Sequence, residues 1–410
     1  MRWDTRALRA RAAGALAGVA VLATGAGAGP GPAEALLVSP NAQVPRSVPA
    51  ALRRAVPAVD PDSKRVQDSL ENVAYLLRIP QRKPWKDMRN SVGVALAEVR
   101  ERPERLLDTV PPEQQAAVRE RLGGMAKGLD RAILCIDGQD ADKLSFALAS
   151  VLDDLAAIEV AQAPGLPYLL PNRVRAFPHL DGRAKVELRV EQGGGKAGLY
   201  TKAGGGTSGQ GNLTITLDGF SSPVSAGTFA RRVLDGAFDG VTLQSSAYAL
   251  SVTPPAAEGR AQEELPLEML PYGEFEPIYG QALNIQDGEY PVLPMSVYGA
   301  VAMAHSPTNA FASSGNAFFI YKFDRQNMGG LGGLSFDEGQ FTVVGYVTDG
   351  AELLAQLDSG DKLVSSRLVE GRDKLKGLPE PAPAPAPAPA PAVPEAAVPE
   401  VVPVAEAAAQ

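Results

Sequence analysis

Cysteine and histidine are scarce in this sequence. Its single cysteine, Cys135, excludes an internal disulfide, a thiolate-rich zinc site and a cysteine-bound cluster. The two histidines, His179 and His305, are too few for a histidine-rich metal site and disfavour a Ser-His-Asp triad. Excess positive charge is also lacking, because 39 Lys and Arg residues stand against 47 Asp and Glu residues. We therefore expect no metal or other cofactor and no electrostatic binding of nucleic acid.

The length of 410 residues and the hydrophobic content of 45% are typical of two or three packed domains. The N-terminal segment differs, since four arginines precede an apolar run at 12–28, and Ala33 and Ala35 form an A-x-A arrangement. This layout predicts a cleavable export signal over 1–35, followed by a linker over 36–61. A membrane anchor is the alternative, but the run is short and weakly hydrophobic for a spanning helix. We expect no integral membrane span in the mature chain.

Alternating Pro and Ala residues dominate the segment 379–410 at the other end of the chain. Such a composition favours an extended polyproline II backbone and has little to bury. We predict a disordered Pro/Ala-rich tail that acts as a stiff spacer. Docking of this tail to a proline-recognising partner is the alternative.

Residues 62–165 carry a helical pattern. Apolar side chains recur at spacings of three and four in four stretches, which are separated by connections containing Pro or Gly. The four stripes are Val66, Leu70, Val73 and Leu77; Trp85, Met88, Val92, Leu96 and Val99; Val118, Leu122, Met125, Leu129 and Ile133; and Leu144, Leu148, Val151, Leu155 and Ile158. Four amphipathic helices with short connections predict a helical bundle, in which these side chains form the core.

After the helical region the hydrophobic period changes to two. Val186, Leu188 and Val190 alternate with charged residues, and 213–217 is predicted to be the strand that pairs with them. The Gly-rich segment 193–211 between them is interpreted as a hairpin tip. Its glycine spacing does not match a P-loop, so nucleotide binding is disfavoured.

Several short strands follow, with helical patterns at 223–234 and 351–357 and a closing strand at 362–368. A mostly β region with helices near its two ends is typical of a closed barrel. We therefore predict an α+β protein. Its N-terminal helical bundle is followed, over 180–375, by a closed β-barrel capped by two helices.

Five motifs in this region occur in a specific order: PVSAGTF at 223–229, FDGV at 238–241, AMA at 302–304, AFFI at 317–320 and FTVVG at 341–345. Their order and spacing resemble the cyclophilins, a family of peptidyl-prolyl cis-trans isomerases. Together with SLENVAYLLRIPQRKPW and GLGGLSFDEGQF, they look like the multidomain cyclophilins of the chloroplast thylakoid lumen, most similar to the plant class numbered thirty-seven. The resemblance implies a helical region followed by a cyclophilin-like barrel.

The resemblance also implies where catalysis should occur. In cyclophilins an Arg supplies a cation to the twisting prolyl amide, and a Gln and a His surround it. The corresponding positions here carry Ser245 for the Arg, Val252 for the Gln and Phe341 for the His. No Arg lies between Arg232 and Arg260, so we expect the catalytic positions to be degenerate.

The resemblance also implies that the apolar residues of the family's pocket have counterparts in this sequence. Phe319 matches the pocket Phe, Leu250 lies near the pocket Met, and Phe336 lies near the Leu of the pocket wall. Ala304 and His305 match the segment that binds the substrate backbone. Ordinary barrel core is the alternative for the apolar residues, and a surface or hydrogen-bonded histidine is favoured over a catalytic one at His305.

Two functions follow from the resemblance. The first is a peptidyl-prolyl cis-trans isomerase of the chloroplast thylakoid lumen that assists protein folding, with weak or degenerate catalysis. The second is a catalytically inactive proline-peptide-binding chaperone or scaffold for assembly of photosynthetic membrane complexes. Both imply proline-containing client proteins or peptides as partners, including lumenal loops of photosynthetic membrane proteins. A periplasmic or secreted location is the alternative to the lumen.

Overall fold

The computed structural model describes residues 44–45, 47–79, 82–163, 165–193, 199–201, 205–255, 263–322 and 337–377. The predicted export signal, the predicted Pro/Ala-rich tail and Phe336 lie outside these residues.

Seven α-helices form within the described residues. They are α1 (Val48–Ala55), α2 (Pro61–Leu77), α3 (Trp85–Glu101), α4 (Pro103–Leu107), α5 (Gln115–Asp137), α6 (Ala141–Gln162) and α7 (Pro223–Leu234). The four predicted stripes lie on α2, α3, α5 and α6, and they pack against one another in a single apolar core. Short helices α1 and α4 were not predicted, and α1 lies in the segment that was interpreted as a linker.

Local sequence explains where the bundle helices begin. Asp60 precedes α2, and its carboxylate accepts a hydrogen bond from the Ser63 N–H at 2.8 Å. Asp140 does the same for α6, accepting from the Lys143 N–H at 3.0 Å. Both carboxylates satisfy an amide that the first turn of a helix leaves without a partner.

Six strands of six to ten residues form most of the barrel wall, and the other described strands are shorter. In chain order the described strands are β1 (His179–Leu180), β2 (Arg183–Glu191), β3 (Tyr200–Thr201), β4 (Thr207–Ser208), β5 (Gln210–Asp218), β6 (Val241–Thr242), β7 (Gln244–Ser245), β8 (Ala249–Val252), β9 (Glu264–Pro266), β10 (Glu268–Met269), β11 (Ile278–Tyr279), β12 (Ala300–His305), β13 (Ala312–Tyr321), β14 (Val343–Asp349), β15 (Lys362–Glu370) and β16 (Leu375–Lys376).

One antiparallel sheet makes a nearly closed barrel. Its strand order is β6-β15-β2-β5-β14-β12-β13-β8-β7, with β9 also paired to β13. The two ends of this order, β6 and β7, are separated in sequence only by Leu243. The sheet therefore curls until its edges meet at one residue, which removes open edges that could pair with other chains.

The predicted hairpin and the first capping helix are both present. Strands β2 and β5 pair from Arg183 with Asp218 to Glu191 with Gln210. Helix α7 buries Phe229, Ala230 and other apolar side chains in the barrel core. The second predicted helix, at 351–357, is reduced to a 3₁₀ turn over Ala351–Leu353.

Helix α1 lies between the bundle and the barrel. Arg53 forms an ion pair with Asp153 of α6 at 2.6 Å, and the guanidinium of Arg54 lies 3.7 Å from the ring centre of Tyr272 in the barrel region. Arg183 of β2 donates a hydrogen bond to the carbonyl of Leu52. A groove of about 850 Å³ nearby is lined by residues of α1, α5, α6 and the barrel wall. None of the described helices has the length and apolar character needed to cross a membrane.

Candidate functional site

Three neighbouring strands bring together three of the predicted site residues. Strand β12 lies between β14 and β13 in the sheet. Phe319 lies on β13, His305 is the last residue of β12, and Phe341 comes two residues before β14. The sheet order therefore places side chains that are far apart in sequence on one part of the barrel surface.

The three rings form a row, with Phe341 in the middle. The centres of the His305 and Phe341 rings are 4.2 Å apart, and those of Phe319 and Phe341 are 5.1 Å apart in an edge-to-face arrangement. All three side chains are half-buried, so each presents part of its surface to solvent. We call His305, Phe341 and Phe319 the aromatic row. Such a surface suits the apolar ring of a proline.

Strand alternation explains why Phe319 is available while its neighbour is not. Successive side chains on a strand point to opposite faces. Phe318 is only 1% exposed and packs inside the barrel against Phe229 and Phe238, at ring-centre distances of 4.8 and 4.9 Å. Phe319 consequently lies on the outer face, where it is not part of the barrel interior.

The structure does not bring Leu250 and Val252 to the aromatic row. Both are 1% exposed and belong to the core inside the barrel. Leu250 pairs with Ile320 and Val252 pairs with Phe318, and directly opposed residues in an antiparallel sheet share a face. The residue between them, Ser251, pairs with Phe319 and lies on the outer face instead.

Ser245 is also turned away from the aromatic row. It pairs with the inward-facing Leu250, and its hydroxyl donates to the carbonyl of Leu357 at 2.9 Å. The ammonium of Lys322 donates to the same hydroxyl at 2.8 Å and to the Leu357 carbonyl at 3.3 Å. Burial lowers the pKa of Lys322. The Lys322 ammonium is therefore held by Ser245 and Leu357.

Gln244 is the residue of this strand that faces the same way as Phe319. It pairs with Ser251, which in turn pairs with Phe319. Sequence comparison alone pointed to Ser245, because motif spacing cannot resolve a shift of one residue in a short hairpin. A one-residue shift in a strand moves a side chain to the opposite face. Gln244 and Ser251 thus share the outer face of the sheet with Phe319, which the sequence analysis did not predict.

Ala304 lies beside the row, half-buried at the end of β12. The strand is irregular at this point, since its register against β13 shifts between Met303 and His305. Such a bulge re-aims the residues around it. Phe336, the other predicted pocket residue, lies outside the described residues.

A buried carboxylate residue links the start of α7 to the segment that carries Phe341. Glu268 is 1% exposed, and its two carboxylate oxygens accept from the N–H groups of Val224 and Ser225 at the start of α7, at 3.1 and 2.7 Å. Its own N–H donates at 2.8 Å to the hydroxyl of Thr342, the neighbour of Phe341. Burial raises the pKa of Glu268 to about 7, against the effect of these hydrogen bonds. Glu268 could have been singled out from the sequence, because it is the charged residue in the apolar stretch LPLEML at 265–270.

Comparison with known proteins gives two family matches. Residues 48–162 match the family described as "Peptidyl-prolyl cis-trans isomerase CYP38-like, PsbQ-like domain". Residues 206–375 match the family described as "Cyclophilin type peptidyl-prolyl cis-trans isomerase/CLD". The aromatic row lies within the second range.

Three relatives match over most of the chain. The chain is 44% identical to the chloroplastic peptidyl-prolyl cis-trans isomerase CYP37 of Arabidopsis thaliana, over 84% of this chain and 73% of the relative. It is 30% identical, over 80% of this chain and 83% of the relative, to a Synechocystis protein provisionally named a thylakoid lumen peptidyl-prolyl cis-trans isomerase. It is 26% identical to the chloroplastic CYP38 of Arabidopsis thaliana, over 80% of this chain and 74% of the relative.

Proposed function

The chain belongs to the cyclophilin-type peptidyl-prolyl cis-trans isomerases, and we propose that its aromatic row binds proline-containing segments while its isomerase turnover is weak. The observation that carries this proposal is an apolar, partly exposed surface with no arginine on the described strands next to it. Binding and turnover depend on different groups, so one can persist where the other declines.

Turnover needs more than an apolar surface. The prolyl amide must twist against a barrier of about 18–20 kcal/mol, because its C–N bond has partial double-bond character. A fixed donor or cation lowers that barrier by stabilising the redistributed charge of the twisted amide. Neither Lys nor Arg occurs between Arg232 and Arg260, and Arg232 itself is paired with Glu263 at 2.6 Å. Loss of one such donor lowers turnover by about 10²–10³-fold in comparable cases.

Binding depends on the half of the site that is present. The proline ring would pack on Phe319, with Phe341 closing one side, and burial of its apolar surface supplies the affinity. Holding the ring still lets the preceding residue rotate against a fixed point. Such a site would accept proline segments of client proteins with little dependence on charge.

A thylakoid lumen location fits this function. The relatives above are named as chloroplastic or thylakoid-lumen isomerases, and the N-terminal layout predicts a cleavable signal. We propose that the clients are proline-containing segments of lumenal proteins, including lumenal loops of photosynthetic membrane proteins. Import of the full chain into isolated chloroplasts tests this: recovery in the lumen with shortening near residue 35 is expected, and retention in the stroma contradicts it.

The alternative function is a proline-peptide-binding chaperone or scaffold without catalysis. The commitment of Lys322 to Ser245 and Leu357 favours this alternative, because it leaves that cation unable to replace the missing guanidinium. The two functions share one binding surface and differ only in turnover.

One experiment separates them. A short peptide with a single X-Pro bond is titrated for binding, and its cis-trans exchange is measured by NMR at the same concentrations. We expect binding together with exchange about 10²–10³-fold slower than that of an ordinary single-domain cyclophilin. Exchange at the rate of that reference enzyme contradicts weak catalysis, and absence of binding contradicts the whole proposal.

Three variants locate the activity. Phe319→Ala should abolish peptide binding, whereas Phe146→Ala, at a 78% exposed position on α6, should leave it unchanged. Gln244→Arg should raise turnover because it places a guanidinium on the outer face. Ser245→Arg is the matched comparison and should help less, since it points towards the ammonium of Lys322.

A further inference from the structure

His305 differs from the chain's other histidine in its surroundings. His179 lies on β1, where its Nδ1 is 3.3 Å from the Phe177 carbonyl. His305 instead lies in the aromatic row, with Nδ1 buried and without a hydrogen-bond partner among the described residues. The two ring nitrogens of His305 therefore lie in different environments, and only Nδ1 is both buried and unpaired within the described part of the chain.

This asymmetry bears on the two neutral tautomers of the ring. A neutral imidazole has one N–H donor and one bare acceptor nitrogen. Burying an N–H without a partner costs about 1–3 kcal/mol. A bare Nδ1 buried there is unpaired too, so burial alone does not choose the tautomer; an acceptor on a bound peptide selects the one that carries its proton on Nε2. His305 is half-buried, and Nε2 is not among its buried unpartnered atoms. In that tautomer the half-buried ring offers its N–H donor at Nε2.

The position of this ring also matters. The sequence resemblance placed the family's histidine at the position of Phe341. In the structure the His305 ring centre lies only 4.2 Å from that of Phe341. An imidazole is thus present at this site from a different strand, while the aromatic side chain at 341 supports it by stacking.

A twisted amide presents a group that a planar amide lacks. In the planar amide the nitrogen lone pair is delocalised into the carbonyl and accepts no hydrogen bond. When the bond rotates, conjugation is lost and the lone pair becomes localised on the nitrogen. A donor aimed at that nitrogen stabilises the transition state but not the bound ground state, so it raises turnover without raising affinity.

We propose that His305 is a catalytic residue, donating its Nε2–H to the prolyl nitrogen as the amide twists and thereby sustaining the remaining isomerase turnover. This inference rests on the proposed binding of proline at the aromatic row. It revises the interpretation of His305 as a surface or merely hydrogen-bonded histidine. No proton is transferred, and no covalent bond forms.

The test compares two replacements of His305 with a control at the other histidine. His305→Phe keeps a ring against Phe341 but removes the N–H donor. His305→Gln keeps an N–H donor but removes the ring. His179→Phe changes a histidine that lies outside the site. Thermal unfolding of each variant verifies that it is folded before kinetics are measured.

The expected results separate donation from packing. His305→Phe should lower kcat for the X-Pro peptide by about tenfold or more, because a transition-state donor is lost. Its peptide affinity should stay within about twofold of wild type, since the apolar surface remains. His305→Gln should weaken peptide binding while retaining more of the kcat, and His179→Phe should match wild type.

Two results overturn the inference. One is a folded His305→Phe protein with unchanged kcat. The other is a wild-type protein that binds the peptide and shows no turnover, which leaves the non-catalytic form of the proposed function standing. Failure of wild type to bind the peptide overturns the proposed function itself, and the inference with it. Binding and turnover are therefore both measured on every variant.

Discussion

Replacing Glu159 by Gln should change how the stability of the helical bundle depends on pH. Glu159 lies on α6, is 1% exposed, and has one carboxyl oxygen without a hydrogen-bond partner among the described residues. It faces a cavity of about 120 Å³ that is also lined by Arg53 and Arg54 of α1 and by Gln67 and Glu71 of α2. Burial, and then repulsion from Glu71, raise the pKa of Glu159 from 4.5 to about 8.

The sign and size of the effect follow from that shift. A carboxyl whose pKa is higher in the folded than in the unfolded state binds its proton more tightly when folded. Its contribution to the free energy of unfolding is fully present below pH 4.5 and is lost as the pH rises through about 8. At about 1.4 kcal/mol per pKa unit the whole change is about 5 kcal/mol. Relaxation around the ionised group reduces this, so we expect about 3–5 kcal/mol.

Urea unfolding at several pH values between 4.5 and 9 measures this effect. Trp85 begins α3 and packs against the bundle core, so its fluorescence in a Trp3→Phe background reports on the bundle. Wild type should lose stability relative to Glu159→Gln as pH rises, and the variant should be the more stable protein at pH 9. Glu120→Gln, at an exposed position on α5, should follow wild type.

Parallel curves for wild type and Glu159→Gln would refute the reasoning. They would mean that Glu159 is already ionised in the folded protein, with water or a nearby arginine stabilising its charge. Any constant offset between the parallel curves would measure the packing of the amide and not protonation.

Two further substitutions test the packing around α7. Gly227→Ala should lower the free energy of unfolding by about 3 kcal/mol or more, because its Cβ would lie 2.3 Å from the Cα of His179. Gly93→Ala, with nothing within 4 Å of its Cβ, should raise it by about 0.5–1 kcal/mol, and equal effects in urea unfolding would contradict the close approach. Glu268→Ala should lower it by about 2–4 kcal/mol, since the N–H groups of Val224 and Ser225 lose their acceptor. Near-UV circular dichroism during unfolding reports on the barrel tyrosines, and Glu274→Ala, at an exposed position, should have no effect.

The helical region shows how far hydrophobic spacing can be trusted. The four long helices were predicted because a stripe repeated over 17 to 23 residues has only one regular backbone that buries it. Helix α1 was missed because its eight residues are too few for a clear stripe. Its buried residues, Ala51 and Ala55, are explained by contacts with the barrel cluster that no local pattern contains.

At the site, the sequence motifs identified candidate residues but did not decide where all of them lie. The motifs identified Phe319, His305 and Phe341 as candidates, and the strand order then brought their rings together. The motifs also suggested Leu250 and Val252, which the structure places inside the barrel. Gln244 and Ser251 emerged only from the pairing of β7, β8 and β13.

The sequence by itself determined the fold class, the family and the loss of a guanidinium between residues 232 and 260, because each of these depends only on residue types and their order along the chain. Only the tertiary structure decided which side of the barrel each candidate faces. Strand side chains alternate with a period of two, so an uncertainty of one residue in a short hairpin reverses the face. Hydrogen bonds between strands distant in sequence resolve that uncertainty. They turn Ser245 towards Lys322 and leave Gln244 on the side of Phe319.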